Sequence, residues 1–406
     1  MQTRGMYEGE IEEMIELLCL INRPDGHERY RRYIEGDSSY TWEQTRVVVV
    51  EGRIRSTLRI WDRLMRIGPS VVRMGGIGGV STHPEQRKKG YASALMRDAV
   101  AHMATSGYDI GVLFSEIPFV FYRRLGWECV PQAGFRIRRR QDGQVRPNSW
   151  RVDAFDEERD LEQVVGLHES YNIGQSGVIL RPRFYWDTEP ARIRDLLPTI
   201  VARRGDALGG YLNFVAAGKQ VEVLEIAYDR TDPNTLKALV DQLLDFCQAE
   251  GIEEICGEIP HRHPLVDALV QACAGDLALR GKTSMMFYAV NLLALMQKLL
   301  PDLQARLDAS GRDFQPLALG FTLNGQTCAL HLNAAGQLQV DGAEVAEGML
   351  NLPGEFFWRL ILGESTLQQL QPALQARGIA PAPQLAVLLA VLFPAQEMLF
   401  WGSDHF

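Results

Sequence analysis

A chain of 406 residues exceeds what one ordinary hydrophobic core organises, so length alone predicts two or three domains. Apolar residues make up 46% and charged residues 23%, which excludes a disordered or fibrous chain, and apolar runs such as 385–393 are too short for a bilayer span. The net charge of −9 disfavours a nucleic-acid partner, which would need a basic face, and suits a cationic substrate.

The first residues, M-Q-T-R-G-M-Y-E-G-E, place acid where a signal peptide carries its apolar region, so a cytoplasmic protein is expected. Residues 10–21 have helical periodicity with an acidic start, and Asn22-Arg23-Pro24-Asp25-Gly26 stops them. Residues 30–40, rich in Arg and Tyr, read as helix or loop. The run 47–50 is a buried strand, Glu51-Gly52 a hairpin turn and 54–62 the partner strand. Residues 71–82, apolar with interleaved glycines, form a central strand that ends at His83-Pro84-Glu85, because Pro84 lacks a backbone donor.

The basic turn Arg87-Lys88-Lys89-Gly90-Tyr91-Ala92 follows, then an amphipathic helix from Ser93 to Met103. A strand, a basic turn with one Gly and a helix start make a device for holding pyrophosphate. Free N–H groups of the first turn face the anion, the helix dipole favours it, and flanking cations add charge. Gly90 lets the backbone approach without a Cβ. Residues 110–114 are a further buried strand ending in Ser115-Glu116, and 119–128 a short helix closed by Gly126.

A polar linker at 141–149 separates a second unit. There 161–171 is helical, 199–204 and 209–216 pair, 221–228 is a strand, 235–250 a long helix and 254–259 a last strand. The order echoes the first unit, but Asp229 and Asp232 stand where the basic turn should be and would repel a pyrophosphate. The third unit has a helix at 292–307 and short strands at 318–323, 327–332 and 338–340, with Asn324-Gly325 and Ala335-Gly336 between them. A helix at 353–362, stopped by Gly363, and the segment 378–393 complete it. The six cysteines are scattered without metal-ligand spacing and read as reduced thiols; no metal is expected.

The spacing Arg87-x-x-Gly90-x-Ala92 after a V-x-T-x-P strand end resembles the coenzyme A signature of the GNAT acyltransferases, and F-Y-x-x-x-G-W at 121–127 is a second mark of that superfamily. The fold class follows: α/β, built of α+β mixed sheets. Tandem GNAT folds, a catalytic one over 1–145 and a degenerate one over 146–288, precede a sterol-carrier-protein-like α+β domain over 289–406. This order resembles the enhanced intracellular survival (Eis) acetyltransferase family along the whole chain. The most specific parts are 80–92, Ser115-Glu116 with Tyr122, and the tail Trp401-Gly402-Ser403-Asp404-His405-Phe406. The resemblance implies acetyl-CoA as cosubstrate, a small-molecule amine acceptor (an aminoglycoside or a polyamine-like cation) and a homo-oligomer, a hexamer. No membrane partner is expected.

An amine attacking a thioester directly needs a held donor, a neutral nucleophile, a polarised carbonyl and a protonated leaving group. Backbone groups of Val80, Ser81 and Thr82 are expected to pair the pantetheine amides. Amides of Lys88, Lys89, Gly90, Tyr91, Ala92 and Ser93 take the pyrophosphate, with Arg87 and Lys88 as supporting charge. Family position puts Ser115 and Glu116 against the cofactor. Tyr122 is the candidate general acid, because a phenol titrating near ~10 is protonated at neutral pH. By resemblance the base is the carboxylate of the C-terminal Phe406, folded back into the first unit's pocket, with Glu116 and His405 as rivals. Tyr40, Trp42, Trp61 and Phe119 are candidates to line the acceptor pocket. Two other functions are weighed: acetylation of protein lysines at the same site, and a lipid- or ligand-binding module with a relic GNAT domain.

Overall fold

A computed structural model describes residues 1–115, 117, 119–140, 149–186, 199–282, 284–342 and 350–406. Glu116 and nearly all of the expected linker lie outside the described residues. Three sheets, of eight, seven and four strands among those residues, carry a mixed α/β chain.

The first sheet runs Gln2–Gly5, Thr45–Val50, Arg53–Ile67, Ser70–Thr82, Ile110–Phe114, Met285–Ala289 and Glu128–Cys129, with Ile179–Leu180 pairing against Arg53–Ile67. Glu51 and Gly52, with φ of 52° and 75°, form the two-residue left-handed turn that joins its first hairpin. The strand expected over 54–62 continues to Ile67. The charges of Asp62 and Arg63 mark no boundary, because Arg63 is buried against Asp37 while Met65 and Ile67 enter the core. Helix Tyr91–Thr105 packs Leu95, Met96, Ala99 and Met103 on this sheet.

The two large sheets exchange strands. Gln132–Arg138 leaves the first sheet and pairs in the second, between Asp276–Lys282 and Glu254–Gly257. Met285–Ala289 crosses back to lie between Ile110–Phe114 and Glu128–Cys129. Helix Pro264–Cys273 and the strands after it were not anticipated; short apolar runs such as M-M-F-Y-A carry no periodicity that separates strand from helix.

In the second sheet the helix Pro233–Ala249 begins where the first unit has its basic turn. Its N-terminus is closed by its own chain: Asp232 accepts from the Asn234 amide at 3.0 Å and from Trp150 Nε1 at 3.1 Å. The third unit is the sheet of Leu317–Leu323, Gln326–Leu332, Leu338–Asp341 and Leu350–Leu352 under helix Leu292–Ser310 and the C-terminal helices. One buried cluster runs from Met74 and Val112 of the first sheet through Phe287 to Phe321, Phe357, Trp358 and Leu389. The third unit thus covers a face of the first sheet, and the segment after Leu392 leads back toward that sheet. Among the described residues no helix is long and apolar enough to cross a membrane.

Candidate active site

A cleft of about 1120 Å³ opens along the strand Ser70–Thr82. It exists because that strand leaves its parallel neighbour: pairing with Ile110–Phe114 ends at Ile77–Leu113, while the strand continues to Thr82. A bulge sits at the parting. Thr57 opposes Ser81 and Arg59 opposes Gly78, so Gly79 (φ 63°) and Val80 face the single residue Leu58. Val80, Ser81 and Thr82 line the cleft with one edge unpartnered by strand among the described residues, the geometry an amide-bearing ligand chain needs. Asn22 Nδ2 holds Ser81 Oγ at 2.9 Å and Ser56 Oγ donates to Ser81 O at 2.7 Å, fixing this edge.

At the far end Gly90 caps helix Tyr91–Thr105 with φ 82° and no side-chain cap. The first intrahelical bond is Ala94 N to Gly90 O at 3.0 Å, so the amides of Tyr91, Ala92 and Ser93 precede it. Lys88 is also left-handed, at φ 64°. Arg87, Lys88, Gly90, Tyr91, Ala92 and Ser93 all line the cleft. Lys89 does not; its ammonium donates to Gln86 Oε1 at 2.8 Å. A Cβ on Gly90 would meet no protein atom within 4 Å, so its backbone angle, not crowding, calls for glycine.

The C-terminus enters at the middle of the same strand. A methyl group built on Gly78 would lie 3.4 Å from the carboxyl carbon of Phe406 and 2.9 Å from Trp61 Nε1. The Phe406 ring meets Phe114 edge-on at 5.5 Å. Among the described residues no hydrogen bond or ion pair engages its carboxylate. Doubled glycines in a buried strand weaken it unless something approaches closely, so G-G-I-G-G at 75–79 was a legible signal for this visitor.

The tail is held from the second unit. Arg181, fully buried, donates to Asp404 through Nε at 2.7 Å and Nη2 at 2.8 Å, to Glu225 through Nη1 at 3.0 Å, and to Ser403 Oγ at 3.0 Å. Tyr211 and Ser403 donate to Glu225 as well, and Trp401 Nε1 donates to Asn172 Oδ1 at 3.2 Å. Burial would raise the Glu225 carboxyl, but Arg181 outweighs it and holds the group below the usual carboxylate range. Burial and the neighbouring Glu225 push Asp404 up, because two carboxylates share one guanidinium. Nothing in single-sequence reading pointed to Arg181 or Glu225.

Tyr122 lies on the short helix Val120–Arg123, 6% exposed, with its ring edge-on to Phe121 at 4.9 Å, and it lines the cleft together with Phe406. Ser115 is near but does not line it; its amide donates to Ser284 O at 2.7 Å and its hydroxyl to Ile117 O at 2.6 Å. His405 stacks on Phe114 at 4.1 Å, with Nε2 3.6 Å from Glu258. Of the four aromatics expected around the acceptor, Trp61 lines the cleft. Tyr40 and Trp42 instead line a second hollow, and Phe119 stands outside under Arg123.

Residues 2–130 match the family model of the acetyltransferase (GNAT) domain. Among solved structures, a conserved protein of unknown function from Enterococcus faecalis, described as a probable N-acyltransferase, aligns at 16% identity over 100% of this chain and 99% of its own, with a TM-score of 0.76. A GCN5-related N-acetyltransferase from Anabaena variabilis aligns at 17% identity over the full length of both chains, TM-score 0.69. Eis1 from Mycobacterium abscessus aligns equally: 17%, 100% of each chain, 0.69. At such identities the likeness shows the fold, here along the whole chain. No curated protein matches the sequence.

Proposed function

We propose that the chain is an N-acetyltransferase that moves the acetyl group of acetyl-CoA to a primary amine. The observation that carries this is the cleft itself, which joins a strand edge freed by a bulge, an uncapped helix start with Arg87 and Lys88, Tyr122 and a terminal carboxylate. The pyrophosphate would sit on the amides of residues 91–93, and the pantetheine arm would run along Val80–Thr82 as an added strand. The thioester is thereby delivered to the point where the strands part.

The acceptor nitrogen attacks the thioester carbon, the N–C bond forms and the C–S bond breaks. The amine's proton leaves toward the Phe406 carboxylate, directly or through water, and the Tyr122 phenol gives a proton to the departing sulfur. The products are an amide and the free CoA thiol. A carboxylate is a weak base for an ammonium, so holding the ammonium in place is as much of its role as removing a proton.

The test is thiol release from acetyl-CoA across an amine panel, run beside a variant extended by two glycines after Phe406. Extension should cut kcat at least ten-fold with acetyl-CoA affinity, by calorimetry, within two-fold. Full activity of the extended chain would remove the terminal carboxylate from the reaction, and absence of acetyl-CoA binding would remove the transfer reading altogether.

A further inference from the structure

The acceptor end of the cleft carries charge of the opposite sign to that which a polycationic acceptor would seek. Its described lining includes Arg23, Arg29 and Arg59 beside Tyr30, Tyr33 and Trp61, and no side-chain carboxylate. The guanidinium carbon of Arg59 lies 3.6 Å from the centre of the Trp61 ring, and that of Arg63 5.2 Å from the same ring. Both guanidiniums rest on one oxygen of Asp37, at 2.6 and 3.1 Å, so two buried cations share one carboxylate. Burial lowers Arg59 to about 10, which leaves it charged at neutral pH.

Arg29 adds a third guanidinium to the lining, apart from this buried pair. It is half-buried on helix His27–Glu35, donates through Nε to the Tyr33 hydroxyl, and pairs with no carboxylate among the described residues. The Tyr33 ring in turn stands edge-on to Trp61 at 5.6 Å. The described side chains that line this pocket are thus basic or neutral, although the chain as a whole carries −9. The terminal carboxylate of Phe406 is the one anion lining it among the described residues.

We propose that the acceptor is a zwitterion with an aromatic body: its amine faces the Phe406 carboxylate, its own carboxylate pairs with Arg29, and its ring packs among Tyr33 and Trp61. A polyamine or aminoglycoside would set several ammonium groups against Arg29 and the field of Arg59 and Arg63. An amino carboxylate of aromatic type satisfies both ends, and a guanidinium–carboxylate pair in a partly dry cleft is strong enough to select it. The assignment rests on the transfer reading above, since it names the molecule whose nitrogen attacks the thioester.

The experiment compares kcat/KM for matched pairs differing by one carboxylate, phenylalanine against phenethylamine and tryptophan against tryptamine, with spermidine as polycation. The acid should exceed its decarboxylated partner at least ten-fold in the wild-type enzyme. Arg29→Gln should collapse that ratio toward one, and Arg29→Lys should restore part of it. Spermidine as the best substrate, an acid-to-amine ratio of one or less, no turnover of any acid, or a ratio untouched by Arg29→Gln would each overturn the assignment. Calorimetry with acetyl-CoA runs alongside: cofactor binding with a failed acid preference sinks only the acceptor class, whereas absent binding sinks the transfer reading.

Discussion

The ring of Phe406 rests directly on the backbone of Gly76. A methyl group built on Gly76 would lie 2.5 Å from the ring's Cζ and 2.7 Å from both Cε atoms. The last residue of the chain and the middle of the central strand therefore occupy each other's space, with no side chain between them.

Gly76→Ala consequently reads the position of the tail. The strand backbone tolerates alanine, so the ring, at a chain end, yields instead. We expect a stability loss of about 1–2 kcal/mol and a fall in kcat of at least ten-fold, with the acetyl-CoA KM little changed because the turn at 88–93 is untouched. Steady-state kinetics and denaturant unfolding check this. An unaltered kcat would mean that the seat of the ring does not set the reaction.

Tyr122→Phe tests the acid. Removing the hydroxyl leaves the ring packed against Phe121 and should lower kcat by roughly 10²–10³, while acetyl-CoA affinity stays within two-fold. Equal kcat in both proteins would assign the protonation of sulfur to another group.

The turn before helix Tyr91–Thr105 was legible in the sequence because its signals are local: a basic run, one glycine and a helix start are adjacent in the chain. The strands 45–50, 70–82 and 110–114 were legible for the same reason, since alternation and β-branched runs are short-range signals. The exchange of Gln132–Arg138 and Met285–Ala289 between sheets was not, because strand pairing over so long a separation leaves no mark on either segment. Arg181, Glu225 and Asp404 were invisible too: each is an ordinary charged residue until three distant segments converge. The sign of charge along the described cleft lining likewise cannot be inferred from net charge, which averages over the whole surface.

Gly90→Ala isolates the turn. The φ of 82° strains any L residue by about 1–2 kcal/mol, although a Cβ there meets no neighbour within 4 Å. The expected result is a several-fold rise in acetyl-CoA KM with a smaller change in kcat, read by initial rates at saturating acceptor. Arg87→Ala should weaken cofactor binding more at low salt than at high salt, as screened charge does.

Acid should weaken the clamp on the tail. Burial first, then the Arg181 charge, lower His168 to about 3, although Glu225 Oε1 lies 3.8 Å from its Nε2 and pulls the other way. Unfolded, a histidine titrates near ~6.5, so the unfolded chain binds more protons between pH ~6.5 and 3. Stability from this group is fully present above that range and lost as pH falls through it, on the order of 3–5 kcal/mol in all. Glu225, held low, adds loss in the same direction below ~4.5, and the raised Asp404 opposes it. Urea unfolding at pH 7.5 and 5.0 should show the drop, and His168→Gln should flatten it.

Asp404→Asn separates anchoring from folding. Arg181 keeps Glu225 as its buried partner, so no guanidinium is left bare, yet the two bonds that fix the tail two residues before its end become one weaker contact. Arg181→Met would instead strand two buried carboxylates at a cost of about 3–5 kcal/mol and confuse unfolding with release. For Asp404→Asn we expect a loss of about 1–3 kcal/mol, a kcat reduced ten-fold or more, and acetyl-CoA affinity unchanged. A carboxypeptidase should remove Phe406 faster from this variant than from the wild type, since the tail must leave its groove to be cut. Equal rates of trimming with a reduced kcat would mean that Asp404 acts on the cleft by some route other than holding the chain end, because a tail still seated on Gly76 keeps its carboxylate where it was.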